Sequence, residues 1–265
     1  MTSPILTRRQ MLMAMGGAGM ILSRGLWLPS DAEAAVAEVG AGSQRATYDP
    51  GGGSDIGTKA FPANVTAGNL LIVGGADWQT AAAQVVTVSD TRSTPYTVLS
   101  GALASQVRYF IAYGIAATSG ACTVTVDPAG TGNWLNFAID EFSGINTTTP
   151  LDVDGTSGGG TGTSTAATKS ITTVAANALV VGVVTHTGGN VTITETTGTK
   201  IGETENPATS NPFNLQFQIA GAAGAQASSW TMGSSVTWVV YQASFTPGAG
   251  GAAARRPANR PFMFP

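Results

Sequence analysis

The chain has 265 residues and a formal net charge of −3, and 10% of its residues are charged, against about 25% in ordinary soluble domains. Residues 36–254 contain six basic and thirteen acidic side chains, so this region carries 6 − 13 = −7. A surface that follows nucleic acid phosphates needs clustered Lys and Arg. The composition therefore predicts no nucleic acid partner.

The N-terminal residues 1–34 have the pattern of an export signal. Arg8 and Arg9 precede an apolar run, residues 11–22, that is too short to span a bilayer, and residues 32–34 (Ala-Glu-Ala) offer small side chains to a signal peptidase. This segment resembles a twin-arginine signal peptide. The resemblance implies export to the periplasm or beyond, with no integral membrane segment after signal removal. The alternative is an uncleaved N-terminal arm, and residues 35–44 are predicted to be a linker in either case.

The second half of the chain repeats the first. Residues 69–74 (Asn-Leu-Leu-Ile-Val-Gly) return as residues 177–182 (Asn-Ala-Leu-Val-Val-Gly), an offset of 177 − 69 = 108, and residues 107–112 return at the same offset. A later strand repeats at 245 − 142 = 103. Such self-similarity predicts two similar β units that bury their apolar faces against each other.

Strands are predicted where apolar and polar residues alternate, and no segment after residue 36 has a helical period. In the first repeat they cover residues 69–76, 84–89, 96–99, 106–114, 122–126 and 134–142; in the second, residues 178–185, 191–195, 200–202, 214–220, 228–232 and 236–245. We therefore predict an all-β, two-layer antiparallel β-sandwich of jelly-roll type, built from an internal duplication.

The predicted sandwich covers residues 45–247, with halves at 65–145 and 170–247. Gly, Thr and Ser dominate residues 152–169 between the halves, which predicts a long exposed connection or a flexible edge. Residues 248–265 are predicted to form an extended tail, because Pro and Gly interrupt strand pairing. The tail's docking residues are predicted to be Arg255, Arg256, Arg260, Phe262 and Phe264.

Several short motifs, in order, carry a family resemblance: residues 69–73, residues 88–90 (Val-Ser-Asp) followed by Tyr96 and Thr97, residues 122–126, residues 141–144 and residues 150–152. They resemble a Gly/Thr-rich β-sandwich family of tailed-phage particle proteins and secreted bacterial proteins. That family commonly has Gly-Asn in the hairpin after Ser-Asp, whereas this chain has Arg-Ser-Thr-Pro at residues 92–95. The resemblance implies a surface-displayed or adhesive module and not an enzyme.

Residues that could support catalysis are few. The chain has one histidine, His186, and one cysteine, Cys122, so it has no internal disulfide and no histidine-based zinc site within one chain. Asp140 and Glu141 are consecutive on a predicted strand, so their side chains point to opposite faces and cannot act on one substrate as a glycosidase pair. We therefore predict that the protein is not an enzyme.

Two sets of residues are candidate ligand sites. Asp152 and Asp154 lie two residues apart before a glycine, in the kind of oxygen-rich loop that calcium prefers, although the full EF-hand pattern is absent. The alternative is a solvated acidic turn. Trp78 and Trp134 lie where predicted strands end or begin, so their flat rings are candidates for stacking against sugars.

These observations favour a non-enzymatic binding or adhesion module, secreted or displayed at the surface, whose partner is a cell-surface or extracellular polysaccharide. The alternative is a structural subunit of a phage or phage-like particle, such as a spike, fibre or decoration protein. In that case the terminal segments would dock on a carrier particle or on further copies of the chain. An unrecognised hydrolase ranks third.

Overall fold

The structure is a computed structural model that describes residues 35–78, 85–103, 107–131, 133–155, 160–188, 190–204 and 212–248. Its strands in the first half are β1 (Ala37–Glu38), β2 (Ala46–Tyr48), β3 (Gly57–Ala60), β4 (Leu70–Trp78), β5 (Thr87–Asp90), β6 (Thr97–Leu103), β7 (Val107–Ile115), β8 (Thr123–Asp127) and β9 (Trp134–Ser143). Those in the second half are β10 (Leu151–Asp154), β11 (Gly160–Thr173), β12 (Leu179–His186), β13 (Ile193–Glu195), β14 (Thr199–Thr204), β15 (Phe213–Ile219) and β16 (Gly224–Phe245).

The fold is an all-β antiparallel sandwich, as predicted. The large sheet of the first half has the order β9-β4-β7-β6, with β1 and β2 on the outer edge of β9, and a small sheet has the order β3-β8-β5. The second half repeats this as β16-β12-β15-β14, with β10 on the edge of β16 and both β11 and β13 paired with β16. The only helical element among the described residues is a short 3-10 turn, Val39–Gly42, and no helix there is long and apolar enough to cross a membrane.

Each half has the interleaved strand order of a jelly roll. In the first half β8 and β9 are separate strands, whereas in the second half the long strand β16 serves both positions: its first part pairs with β13 and its last part with β12. Likewise β11 shifts register between Ser164 and Ala166 and runs along both parts of β16. The two large sheets pack against each other and are the two layers that the sequence predicts. Each half also has a further layer on the far side of its large sheet, formed by its small sheet or outer strands.

Strand pairing corrects the predicted offsets of the repeat. Leu70 lies opposite Phe142 and Ile115, and Leu179 lies opposite Phe245 and Ile219. The equivalent strands are therefore related by 179 − 70 = 109, 245 − 142 = 103 and 219 − 115 = 104. With Phe142 and Phe245 taken as equivalent, at the predicted offset of 103, the pairing requires 109 for β4 and 104 for β7, so the predicted value of 108 does not hold for these two strands. The difference matters because a shift of one residue moves every side chain to the opposite face.

Two segments expected to lack structure contain strands. Residues 152–169, predicted to be a long exposed connection or a flexible edge, include most of β10 and β11, and residues 35–44, predicted to be a linker, include β1. Sequence patterning missed β11 because one of its faces is open to solvent and few of its side chains are apolar; Ala167 and Ile171 are buried. Thr suits such a half-exposed pleated surface.

The central core lies between the two large sheets. Aromatic side chains cross it: Phe142 meets Phe217 edge to face at 4.9 Å between ring centroids, and Tyr109 stacks on Tyr241 at 5.0 Å. The other members of this core include Leu70, Ile72, Ile111, Leu179, Val181, Val183, Leu215, Val239 and Ala243, all nearly or fully buried. Each half also has its own outer core beneath its small sheet or outer strands.

The two halves approach closely at glycines. A Cβ on Gly74 would lie 2.6 Å from Leu215 Cδ1, and a Cβ on Gly202 would lie 2.5 Å from both Ala138 Cβ and Thr47 Oγ1. Real Cβ atoms do not approach other atoms this closely, so a side chain at either position would push the sheets apart. Glycine at these positions sets how near the sheets can come.

We expect Gly202→Ala to lower the free energy of unfolding by about 1 to 3 kcal/mol, because the added methyl group overpacks the contact between the halves. Gly221→Ala is the matched control, since a Cβ there would meet nothing within 4 Å. Urea unfolding of both variants and the wild type measures the difference. Equal stability of the two variants would contradict close packing of the halves at Gly202.

Candidate functional site

Trp78 and Trp134 are brought together by strand pairing. Trp78 is the last residue of β4, Trp134 is the first of β9, and the two lie directly opposite each other in register. Opposite residues of an antiparallel pair have Cβ atoms roughly 5 Å apart on the same face. Both side chains are partly buried, and Trp78 packs on the edge of the central core. The sequence pointed to each tryptophan separately, and the fold makes them a pair.

Polar groups adjoin the tryptophan pair. The Ser54 N–H donates to the backbone oxygen of Asn133 (2.9 Å), and the Asn133 N–H donates to Asp55 Oδ1 (2.9 Å). Asn133 is fully buried, and its Oδ1 has no hydrogen-bond partner within the described part of the chain. The pair therefore combines flat apolar rings with neighbouring hydrogen-bonding groups.

Both predicted calcium ligands accept hydrogen bonds from the protein. Asp152 Oδ2 accepts from Ser244 Oγ (2.9 Å) and from the Val174 N–H (3.1 Å), and Asp154 accepts from the Tyr241 hydroxyl. Among the described residues there is no group of three or more His, Cys, Asp or Glu side chains that could hold a metal ion. The calcium site stays a prediction, and Asp152 and Asp154 have a structural role in fixing β10 to its neighbours.

The predicted export signal and the docking tail lie outside the described residues, except for Gly248. The backbone N–H of Gly248 donates to the Gly144 oxygen (2.7 Å), so the first residue of the predicted tail is attached to the sandwich. The carbonyl of Ala35 also lies against Gly144, where it would contact an added Cβ. The first and last described residues thus meet at one corner of the molecule.

His186 and Cys122 are both buried. His186 lies opposite Trp238, its Nε2 is 3.2 Å from the Val191 oxygen, and burial lowers the pKa of its imidazole. Cys122 Sγ is 3.5 Å from Asp90 Oδ2, and burial together with the Asp90 charge raises the pKa of the thiol to about 12. Both side chains are shielded from solvent, at 1% and 2% exposure, and a thiol with this pKa stays protonated at neutral pH.

Asp140 and Glu141 point to opposite faces, as the strand pattern predicts, and Glu141 is a structural anchor. Its carboxylate accepts hydrogen bonds from Gln44 Nε2 (2.9 Å), the Thr66 N–H (2.8 Å) and Asn69 Nδ2 (2.6 Å). Glu141 is fully buried, so these three donors replace the water it has lost. It ties the segment before β2 and the turn before β4 to β9.

Asp140 faces the central core and belongs to a partly buried charge cluster that the sequence did not reveal. Arg45 is bonded to Glu38, and its Nε lies 3.7 Å from Asp140 Oδ2. Burial raises the pKa of Asp140 to about 8, and a hydrogen bond with Glu38 adds to this effect, which the Glu141 N–H and Arg45 oppose. The guanidinium of Arg45 also lies 5.7 Å from the ring centre of Phe217, so the cluster contacts the second half.

Comparison with known proteins gives no relative. No protein-family model, no curated protein sequence and no solved structure matches this chain.

The raised pKa of Asp140 makes stability depend on pH. Between its usual pKa of 3.8 and about 8, folded Asp140 retains a proton that the unfolded chain has released, so rising pH favours unfolding. Asn at position 140 cannot titrate, so Asp140→Asn should remove this loss of folding stability. The free energy of unfolding of the variant, relative to the wild type, should therefore be higher at about pH 9 than at about pH 5. Urea unfolding at both pH values measures the change.

Asp49→Asn is the control for this experiment, because Asp49 is exposed and lies outside the cluster. A pH-dependent gain of the same size in Asp49→Asn would show that the effect does not come from the Asp140 cluster. A constant difference for Asp140→Asn would show that Asp140 titrates as an ordinary carboxyl group.

Proposed function

We propose that the chain is an exported, non-enzymatic binding module that takes extracellular or cell-surface polysaccharide on the Trp78–Trp134 pair. The observation that carries this proposal is the register of β4 and β9, which places two partly exposed tryptophans opposite each other at the end of a sheet. Such a surface matches the apolar faces of sugar rings, and its polar neighbours match their hydroxyl groups.

The neighbours of the pair support a neutral ligand. Ser54, Asn133 and the single carboxylate of Asp55 supply hydrogen-bonding groups near the rings without a concentration of charge. The low charged fraction of the whole chain, 10%, fits the same ligand class. Export is supported by the paired Arg8 and Arg9 ahead of a short apolar run.

The environments of the reactive residues support binding rather than catalysis. The His186 ring is buried, the Cys122 thiol has a raised pKa, and all three donors around Glu141 come from the protein itself. A general acid or base must come within hydrogen-bond reach of a substrate. Buried groups whose partners are supplied by the fold are better explained by stability.

A second candidate is a structural subunit of a phage-like particle, and the corner at Gly144 favours it. Ala35 and Gly248 both lie against Gly144, so the described part of the chain begins and ends at one place on the sandwich. The segments that precede and follow it could dock together on a single carrier. In this reading Arg255, Arg256, Arg260, Phe262 and Phe264 would supply the contacts.

We expect Trp78→Ala and Trp134→Ala each to weaken polysaccharide binding by about tenfold or more, because each removes one stacking surface. A glycan array followed by affinity electrophoresis with the selected polysaccharide measures this. Trp78→Phe keeps an apolar ring at the core edge and separates loss of binding from loss of folding. Ile219→Ala is the control, since Ile219 is 43% exposed in the other half.

Binding that survives both alanine substitutions would exclude the tryptophan pair, and an array without selective binding would exclude sugars as ligands of the wild type. If the protein hydrolyses a polysaccharide and a single Asp or Glu substitution abolishes this activity, the protein is an enzyme and the binding-module proposal is wrong.

Deleting residues 255–265 tests the particle candidate. If the tail only docks, the deletion should leave the melting temperature unchanged and abolish assembly, measured by differential scanning calorimetry and by sedimentation. A large fall in the melting temperature would instead make the tail part of the fold. Unchanged assembly of a stable truncated protein would exclude the tail as the docking segment.

A further inference from the structure

The two halves differ at one set of equivalent positions in their outer layers. In the first half, Val73 lies between Ala112 and Ile139 on neighbouring strands, and we call these three residues the apolar row. In the second half, Gly182 lies in the same way between Gln216 and Gln242, which we call the polar row. The equivalences are those of the strand register: 182 − 73 = 109, 216 − 112 = 104 and 242 − 139 = 103.

The polar row is as deeply buried as the apolar row. Gln216 is 1% exposed and Gln242 is fully buried. Gln242 Nε2 donates to Ser228 Oγ (2.6 Å), but the Oε1 atoms of both glutamines have no hydrogen-bond partner within the described ranges. Burying an acceptor without a donor costs free energy, and the first half avoids this cost with apolar side chains at the same positions. Fold stability alone does not explain the glutamines.

The next position on the same face of β15 is also polar in the second half and apolar in the first. Asn214 occupies the place of Phe110, since 214 − 110 = 104, and it is also fully buried. Asn214 Nδ2 donates to Glu195 Oε2 (3.0 Å) and to Glu203 Oε2 (3.2 Å), while its Oδ1 accepts from Trp230 Nε1 (2.8 Å). The buried indole thereby fixes the orientation of the amide.

Asn214, Glu195, Glu203 and Lys200 form what we call the rim cluster. Lys200 forms a salt bridge with Glu203, and the Lys200 Nζ lies 3.6 Å from Glu195 Oε1. The side chains of Lys200, Glu203 and Glu195 are 38%, 27% and 20% exposed, so a solute can reach them. Two carboxylates and one ammonium give the cluster a net charge of −1, which disfavours an anionic ligand.

Gln216 connects the rim cluster to the polar row. It lies opposite Lys200 in register, and its Nε2 donates to Thr197 Oγ1 (3.4 Å). A Cβ on Gly198 would lie 3.3 Å from Gln216 Oε1, so the unpaired oxygen lies beside the turn formed by residues 196–198. Gly198 is exposed and Thr197 is partly exposed. This turn therefore lies between the Gln216 amide and solvent.

We propose that the rim cluster and Gln216 form a second binding site, in the second half, for a neutral saccharide. Sugar hydroxyls both donate and accept, and this site offers the acceptors Gln216 Oε1, Glu195 and Glu203 together with the ammonium of Lys200 as a donor. A hydroxyl group that displaces the 196–198 turn and donates to Gln216 Oε1 would satisfy the acceptor that the fold leaves unpaired. The ligand class rests on the proposed function, whereas the location rests on the divergence of the repeat.

The test compares the wild type with Gln216→Leu, which keeps the volume of the side chain and removes its polar atoms. The probes are glucose, galactose, mannose and N-acetylglucosamine, each titrated into protein labelled with the nitrogen-15 isotope. NMR follows the side-chain amide signals of Gln216 and Asn214 during the titration. We expect one sugar to shift these signals, and Gln216→Leu to weaken its binding by about tenfold or more. The melting temperature should not fall, because an unpaired buried acceptor has been removed.

Glu195→Gln is a second variant in case the leucine disturbs folding, and it should also weaken binding because Glu195 lies at the exposed rim. Gln218→Leu is the matched control, since Gln218 is on the same strand but only partly buried, with its Nε2 donating to the Ala227 oxygen (3.0 Å), and it should bind as the wild type does. Wild-type affinity in both Gln216→Leu and Glu195→Gln would overturn the proposal, as would a fall in melting temperature of Gln216→Leu without loss of binding.

The two proposed sites fail in different ways. If Trp78→Ala and Trp134→Ala abolish all sugar binding while the Gln216 variant binds normally, the second site is wrong and the tryptophan pair stands. If the tryptophan variants bind normally and the Gln216 variant does not, the tryptophan pair is wrong and the second site stands. If none of the probes or polysaccharides binds the wild type, both are wrong.

Discussion

Burial of the two large sheets against each other is the constraint on which the rest of the structure depends. The inner faces of β4, β7 and β9 meet those of β12, β15 and β16 in one continuous apolar core. Neither half can expose this face to water, so the halves fold as one body. Gly74 and Gly202 allow the sheets to approach, and the aromatic pairs that cross the core, such as Phe142 and Phe217, fill the space between them.

Burial of the large sheets also determines the pKa of the Asp140 carboxyl group, which lies beside the central core. Asp140 faces the central core, where its carboxylate has lost water and lies beside Glu38. Both effects raise its pKa, and the charge of Arg45 offsets only part of the rise. Glu141, one residue later, points to the opposite face of the sheet and is also buried. Three hydrogen-bond donors compensate its carboxylate for the lost water. Two consecutive carboxylates thus have opposite roles because the strand turns them to opposite faces: one resists ionisation and the other anchors two loops.

Duplication has given the protein two outer layers that are free to differ. Because the central core holds the halves together, the outer core of the second half tolerates Gln216, Gln242 and Asn214 where the first half has apolar residues. Polar groups placed at such a cost on a rigid sheet are typical of functional positions. The proposed sites therefore differ in chemistry, with paired indoles at the end of the first half and amides and carboxylates on the side of the second.

The sequence by itself determined the fold class, the duplication, most strands and the opposite orientation of Asp140 and Glu141, because alternation with a period of two is a local property of a strand. It missed β11, whose open face lacks the apolar half of that pattern, and it misplaced two offsets of the repeat, because similar strings of Val, Leu and Gly can be aligned in more than one register. Only the tertiary structure decided which residues meet: Trp78 with Trp134, Glu38 with Asp140, and Gln216 with Lys200. Each of these pairs joins different strands, and register between strands is set by the packing of whole sheets rather than by the residues within one strand.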